Sequence, residues 1–266
     1  MCIIVYKPKG IKMPDRKTLK TCWTNNPDGA GYMYPSNNQV IIKKGFMSFD
    51  EFHKNLIYDY LRYGVGTDFV MHFRISTQGG VNKQCCHPFP LSKDMNDLKC
   101  TRAKSKIGVA HNGIIDLTTE YYSVRSTITY SDTMKFITDY LSLIIKDNNF
   151  YKDDDTLELI ERLAESKLAI MDGTGHTTLI GKFEKDNGVY YSNEYYKVQR
   201  HRRATTVYTS TTNISTTTTN TTTNAVNKKE GTIDWTLKDT NTEKKSDTEP
   251  KHITYTRYPI ITSIND

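Results

Sequence analysis

Over roughly the first 200 positions, apolar residues come in short runs separated by polar ones. "CIIVY" (2–6), "GYMY" (31–34), "QVIIKK" (39–44), "DFVMHFR" (68–74), "IGVAH" (107–111) and "KLAIMD" (167–172) are continuous or alternating, which predicts strands. "TTLIGKF" (177–183) and "GVYYSN" (188–193) predict a late hairpin around "EKDNG". The period changes in "SFDEFHKNLIYDYLRYG" (48–64). There Ser48 and Glu51 form a capping-box pattern, Phe49 and Phe52 begin an apolar stripe, and Leu56, Tyr60 and Leu61 continue it, which predicts a helix. "SDTMKFITDYLSLII" (131–145) and "DTLELIERLAESK" (155–167) predict two more. Strands outnumber helices, and no G-x-G-x-x-G or G-x-x-x-x-G-K-[ST] loop follows a strand. A layered α+β domain is expected rather than a nucleotide-binding α/β fold.

The pattern stops near residue 200. "ATTVYTSTTNISTTTTNTTTNAVNKKEG" is dominated by Thr and Asn, and "TLKDTNTEKKSDTEPK" is polar and charged. Such sequence buries too little surface to offset its ordering entropy. The expected division is a folded domain over 2–196 and a mostly disordered tail over 197–266. "HITYTRYPIITSI" (252–264) is apolar enough to dock on a partner.

Charge sharpens this division. Residues 197–266 carry 11 basic and 7 acidic side chains, so most of the net charge of +6 lies there and the domain is nearly neutral. "KVQRHRR" (197–203) reads as a solvated boundary rather than a nucleic-acid site. No apolar run reaches the ~20 residues of a membrane helix, and no secretory-signal pattern opens the chain. The expected location is the cytoplasm. The five cysteines are irregularly spaced, with neither a disulfide framework nor a C-x-x-C pair. Cys85-Cys86-His87 invites a zinc reading, but adjacent cysteines share a tetrahedral site poorly and no second ligand pair stands at finger spacing.

Candidate chemistry lies in "MC" (1–2), "HFRISTQGG" (72–80), "VAHNGII" (109–115) and "YSDT" (130–133). As a bare position, Cys2 is a small residue opening a strand. If Met1 is removed, one residue carries both a thiol nucleophile and an α-amine, whose pKa of about 7.7–8.0 suits it as a base. Arg74 closes an apolar strand, where an arginine is commonly a surface charge. Asn112-Gly113 is by itself a type I′ hairpin pair. Asp132 follows Ser131 at a helix start, where a carboxylate meets the helix dipole favourably.

In this order, the stretches resemble the class II glutamine amidotransferases, the N-terminal-nucleophile glutaminase domains. The resemblance covers residues 2 to about 195. It implies a four-layer αββα sandwich with Cys2 as nucleophile. It implies Asn112 and Gly113 as the oxyanion hole, through a side-chain amide and a backbone N–H. Arg74, with Thr77 beside it, would grip the glutamine α-carboxylate, and Asp132 the α-ammonium. "NPDGAGYMY" (26–34) is similar to the family's Asp-Gly-x-Gly strand, and "HPF" (87–89) to its His-Pro pair, so Asp28 and His87 are supporting candidates. No metal and no cofactor is implied. Ile75 stands where an aromatic residue is common in the family, and Gln78 where some branches have histidine.

The residue types also suit the chemistry directly. Glutamine is a zwitterion with an amide tail. A planar guanidinium matches one end and a carboxylate the other. Attack on the amide makes an oxyanion that needs prearranged donors. The activity implied is release of ammonia from glutamine through a γ-glutamyl thioester, the ammonia passing to a separate synthetase subunit. A hydrolase of other γ-glutamyl amides or peptides, and a non-catalytic glutamine- or partner-binding member, stay open as alternatives.

Overall fold

The computed structural model describes residues 2–76, 80–116 and 130–198, all within the first of two units, Met1–Ala204. Residues 199–266, including the expected docking segment 252–264, lie outside the described residues, as does Thr77.

The described chain runs β1 (Ile3–Lys7), α1 (Arg16–Asn25), β2 (Ala30–Ser36), β3 (Gln39–Phe46), α2 (Phe49–Tyr63), β4 (Phe69–Phe73), β5 (Phe89–Pro90), α3 (Met95–Lys99), β6 (Arg102–Ser105) and β7 (Ile107–Asn112). It continues with α4 (Asp132–Phe136), a π-helical turn (Ile137–Leu141), α5 (Ser142–Ile144), α6 (Asp154–Ala164), β8 (Lys167–Asp172), β9 (Thr177–Ile180), β10 (Glu184–Asp186) and β11 (Val189–Tyr191). The strands form two sheets, ordered β10-β11-β1-β4-β2-β3-β6 and β5-β7-β8-β9. The paired strands are antiparallel.

Alternation along each strand explains the apolar runs. Ile3 and Val5 of β1, with Phe69, Met71 and Phe73 of β4, pack with α1 and α2 residues such as Leu19, Trp23, Phe52 and Leu56. Ile4 and Val70, on the opposite faces, pack with Met33, Val40 and Ile42 against Ala110, Ala169 and Met171 of the second sheet. Val109, Leu168 and Ile170 of that sheet pack with Met134, Phe136 and Ile160 of the helices beyond it. The central strands are therefore buried on both faces, which a near-continuous apolar sequence suits. Full burial of one such side chain contributes roughly 1.5–3 kcal/mol.

Helix ends follow local chemistry. Asp15 caps α1 by accepting from Thr18 N–H at 2.7 Å, and Ser48 caps α2 by accepting from Glu51 N–H at 3.3 Å. The α1 stripe is only Leu19, Cys22 and Trp23 in otherwise polar sequence, too narrow for periodicity to reveal. In α2, Leu61 is 77% exposed and does not continue the stripe. At about 100° per residue it turns off the face that Phe49, Phe52 and Leu56 share. Buried Asp59 completes that face, accepting from Tyr32 Oη and Lys43 Nζ, each at 2.6 Å.

The late hairpin differs from expectation. Residues 177–180 pair with β8 in the second sheet, whereas Glu184–Asp186 pairs with Val189–Tyr191 in the first. "EKDNG" is thus half strand and half turn. Asn187 and Gly188 have φ of 49° and 83°, the values a two-residue type I′ turn requires.

Candidate active site

Strand register brings the first candidates together. Ile3 pairs with Phe73, and Arg74 N–H donates to Gly29 O at 2.8 Å. Cys2 and Arg74 are the next residues out on neighbouring strands. By alternation from Ile4 and Val70, both face the space between the sheets. In the other sheet, Asn112 ends β7 on the face that Ala110 presents to that same space. The candidate thiol, cation and amide therefore gather at one end of the gap.

Cys2 is half-buried. Its sulfur lies 3.4 Å from Ile75 N, which donates to it, and 3.4 Å from Ile75 O, to which the thiol donates. The thiol thus rests on the residue after Arg74. Burial pushes its pKa above the ordinary value. The Ile75 backbone contact and the Arg74 charge oppose that rise, and the Asp132 charge adds to it.

Arg74 is buried, and its Nη1 donates to Gly80 O at 2.7 Å. Asp28 orders its loop: Asp28 N–H donates to Arg74 O at 2.9 Å, and Asp28 Oδ2 accepts from Ser76 N–H at 2.8 Å. The neighbouring Gly31 lies under the His-Pro segment. A Cβ there would stand 2.2 Å from His87 O, so the strand tolerates no side chain at that crossing.

Asp132 opens α4 behind its cap, Ser131. Its Oδ1 accepts from Thr133 N–H at 2.8 Å and its Oδ2 from Ile115 N–H at 3.0 Å. It therefore pins the chain leaving β7, three residues after Asn112. Among the described residues β7 pairs with β5 and β8, residues 114–116 form no strand, and Asn112 lacks the positive φ of a type I′ turn, so Asn112-Gly113 is not the centre of a two-residue hairpin. The φ of Gly113 is 154°, and a Cβ would stand 2.6 Å from Ser166 Cβ and 3.2 Å from His111 Nε2. The requirement for glycine is close approach, not turn chemistry.

Behind the candidate residues lies a buried imidazole group. His87 stacks on His72 with ring centroids 4.2 Å apart. His72 Nε2 donates to His111 O at 2.9 Å. His87 Nε2 and His111 Nδ1 converge on Thr133 Oγ1 at 3.1 and 2.8 Å, and His111 Nε2 reaches Ser166 Oγ at 2.8 Å. Desolvation lowers all three pKa values, His72 to about 3, His111 to about 4 and His87 well below the usual value. The rings are neutral near pH 7 and act as a hydrogen-bonding frame. His87 is thus structural support for the α4 start, one residue from Asp132.

Sequence reading missed this frame and a second one. Asn193 Nδ2 donates to Cys2 O at 2.7 Å, while the Asn112 side-chain amide lies 2.8 Å from Ser192 Oγ. Two consecutive residues therefore hold the thiol-bearing and the amide-bearing candidates. The only available signal was the polar pair Ser192-Asn193 directly after the apolar "VYY".

Among the described residues, no group of three or more His, Cys, Asp or Glu side chains could hold a metal ion. No described helix is long and apolar enough to cross a membrane. No family model matches the chain, and no curated protein matches it.

Proposed function

We propose that this chain is a glutaminase of the class II glutamine amidotransferase type, built on an αββα sandwich. One observation carries the reading. Cys2, Arg74 and Asn112, far apart in sequence, face one end of the gap between the sheets, and Asp132 accepts from Ile115 N–H on the chain that leaves β7 three residues after Asn112. A solitary strand-opening cysteine would need none of these companions.

In this reading the mature chain starts at Cys2. Its α-amine takes the thiol proton as the sulfur attacks the side-chain carbonyl carbon of glutamine. Arg74 grips the α-carboxylate and Asp132 the α-ammonium, which fixes the amide over the sulfur. Asn112 Nδ2 and Gly113 N–H receive the oxyanion. As the C–N bond breaks, the amine returns the proton to departing ammonia and a γ-glutamyl thioester remains. Water then attacks the thioester, giving glutamate and the free thiol. The ammonia passes to a separate synthetase subunit, with residues 252–264 as the docking segment.

The test is glutaminase turnover of the full chain beside Cys2→Ala, with intact mass measured on both. The expected result is glutamate production by wild-type protein lacking Met1, and none by the variant. Full activity with Met1 retained overturns the amine-as-base step. Turnover by Cys2→Ala places the nucleophile elsewhere. Faster release of p-nitroaniline from γ-glutamyl-p-nitroanilide than of ammonia from glutamine makes it a γ-glutamyl hydrolase. Truncation at residue 200 should leave glutamine hydrolysis intact and abolish capture of an ammonia-consuming partner.

A further inference from the structure

Ser192 is fully buried just past the end of β11. Its backbone N–H donates to Ile4 O at 2.9 Å, and its Oγ accepts from Ile4 N–H at 2.8 Å. The side chain thereby extends the pairing of β11 with β1, the strand that begins one residue after Cys2. The same Oγ lies 2.8 Å from Asn112 Nδ2.

A count of donors and acceptors decides which amide atom faces Ser192. A hydroxyl has one proton to give and two lone pairs to offer. Ile4 N–H occupies one lone pair. If Asn112 Nδ2 occupies the other, the Ser192 proton has no acceptor among the described residues. Asn112 Oδ1 is meanwhile buried with no partner. A buried acceptor left unpaired costs about 1–3 kcal/mol. Turning the amide by 180° moves no heavy-atom position appreciably, since O and N are nearly equal in size. It lets Ser192 donate to Oδ1, and it puts Nδ2 where the orphaned oxygen stood.

We infer that Ser192 is a positioning residue for the oxyanion hole, donating its hydroxyl proton to Asn112 Oδ1 so that Nδ2 is presented to the reacting carbonyl. This rests on the glutaminase reading. On that reading, Oδ1 left free would offer a developing oxyanion an acceptor rather than a donor, and two acceptors repel. In the turned orientation the unpaired groups are two N–H donors, which bind a charged oxyanion more strongly than the neutral carbonyl oxygen of the ground state. Interactions that strengthen in the transition state are the ones that raise kcat. The adjacent Asn193 holds Cys2 O at 2.7 Å, so the pair Ser192-Asn193 sets nucleophile and oxyanion donor relative to each other.

Two measurements decide it. A neutron structure of the perdeuterated full chain should show a deuteron between Ser192 Oγ and Asn112 Oδ1. Amide deuterons pointing from Nδ2 to Ser192 would overturn the inference, and this readout does not depend on turnover. In Ser192→Ala, kcat on glutamine should fall about 10-fold or more, somewhat below the loss of a whole oxyanion donor, while KM stays within about twofold. Glutamate γ-semialdehyde adds to the thiol, its carbonyl oxygen taking the thiol proton, to give a tetrahedral hemithioacetal. Its affinity should drop with kcat, while that of planar glutamate holds. Unchanged kcat, or equal losses of both ligands, would reduce Ser192 to a structural role. Wild-type protein that does not hydrolyse glutamine would count against the glutaminase reading alone, since the neutron result still decides the hydroxyl's direction.

Discussion

Thr133 and His111 meet through a hydroxyl–imidazole hydrogen bond of 2.8 Å, and each is the sequence neighbour of a candidate site residue, Asp132 and Asn112. The same hydroxyl also receives His87 Nε2 at 3.1 Å. The start of α4 and the end of β7 are thus joined through one oxygen, buried where water cannot replace it.

Thr133→Val keeps the shape and removes that oxygen. It strands two buried imidazole nitrogens, so unfolding free energy should fall by about 1–3 kcal/mol. Glutamine turnover should fall too, because Asp132 and Asn112 lose their common reference. Thr133→Ser retains the hydroxyl and should recover most of both. Equal behaviour of the two variants in denaturant titration and in the glutaminase assay would count against the link.

The histidine frame predicts acid sensitivity. Unfolded, these rings take up protons near pH 6.5. In the native fold, burial delays uptake to about 4 for His111, about 3 for His72 and far down for His87. Between these values the unfolded state binds more protons, so stability is full above pH 6.5 and declines as pH falls below it. Each linked ring contributes a slope of about 1.4 kcal/mol per pH unit. Denaturant midpoints measured from pH 7 to pH 4 should show the decline, and His72→Gln should make it shallower.

The Cys2 thiol is protonated at rest because burial raises its pKa. Iodoacetamide should therefore label Cys2 slowly at pH 7, and faster by about tenfold per pH unit up to pH 9, since the thiolate reacts. Saturating glutamine should protect it. Rapid labelling at pH 6 read by peptide mass would mean that the amine and Arg74 outweigh burial.

Gly113→Ala places a methyl group against Ser166 and His111. The β7 exit must shift, at a typical overpacking cost of about 1–3 kcal/mol. Turnover should drop far more than stability, because the N–H at this position moves with it. A variant with normal kcat would remove Gly113 from the oxyanion hole.

Much of the fold was readable in the chain. Short continuous apolar runs marked the central strands because both faces of β1, β4, β7 and β8 are buried, and the Ser48 cap with its apolar stripe marked α2. Helix α1 escaped because Leu19, Cys22 and Trp23 are its whole buried face. The late hairpin was misplaced because a short strand does not state which sheet it joins. Strands 177–180 and 184–186, a few residues apart, pair in different sheets.

The candidate side chains were singled out because their order along the chain resembles that of a known family, and their types suit the zwitterionic amide proposed as substrate. Their convergence was a matter of register, in which the Ile3–Phe73 pairing sets Cys2 beside Arg74. The groups that hold them, His111 with Thr133 and Ser192 with Asn112, are 22 and 80 residues apart. Their side chains have no local pattern to betray them. A hydrogen bond acts over about 3 Å, and only packing two sheets and their helices brings such distant residues that close.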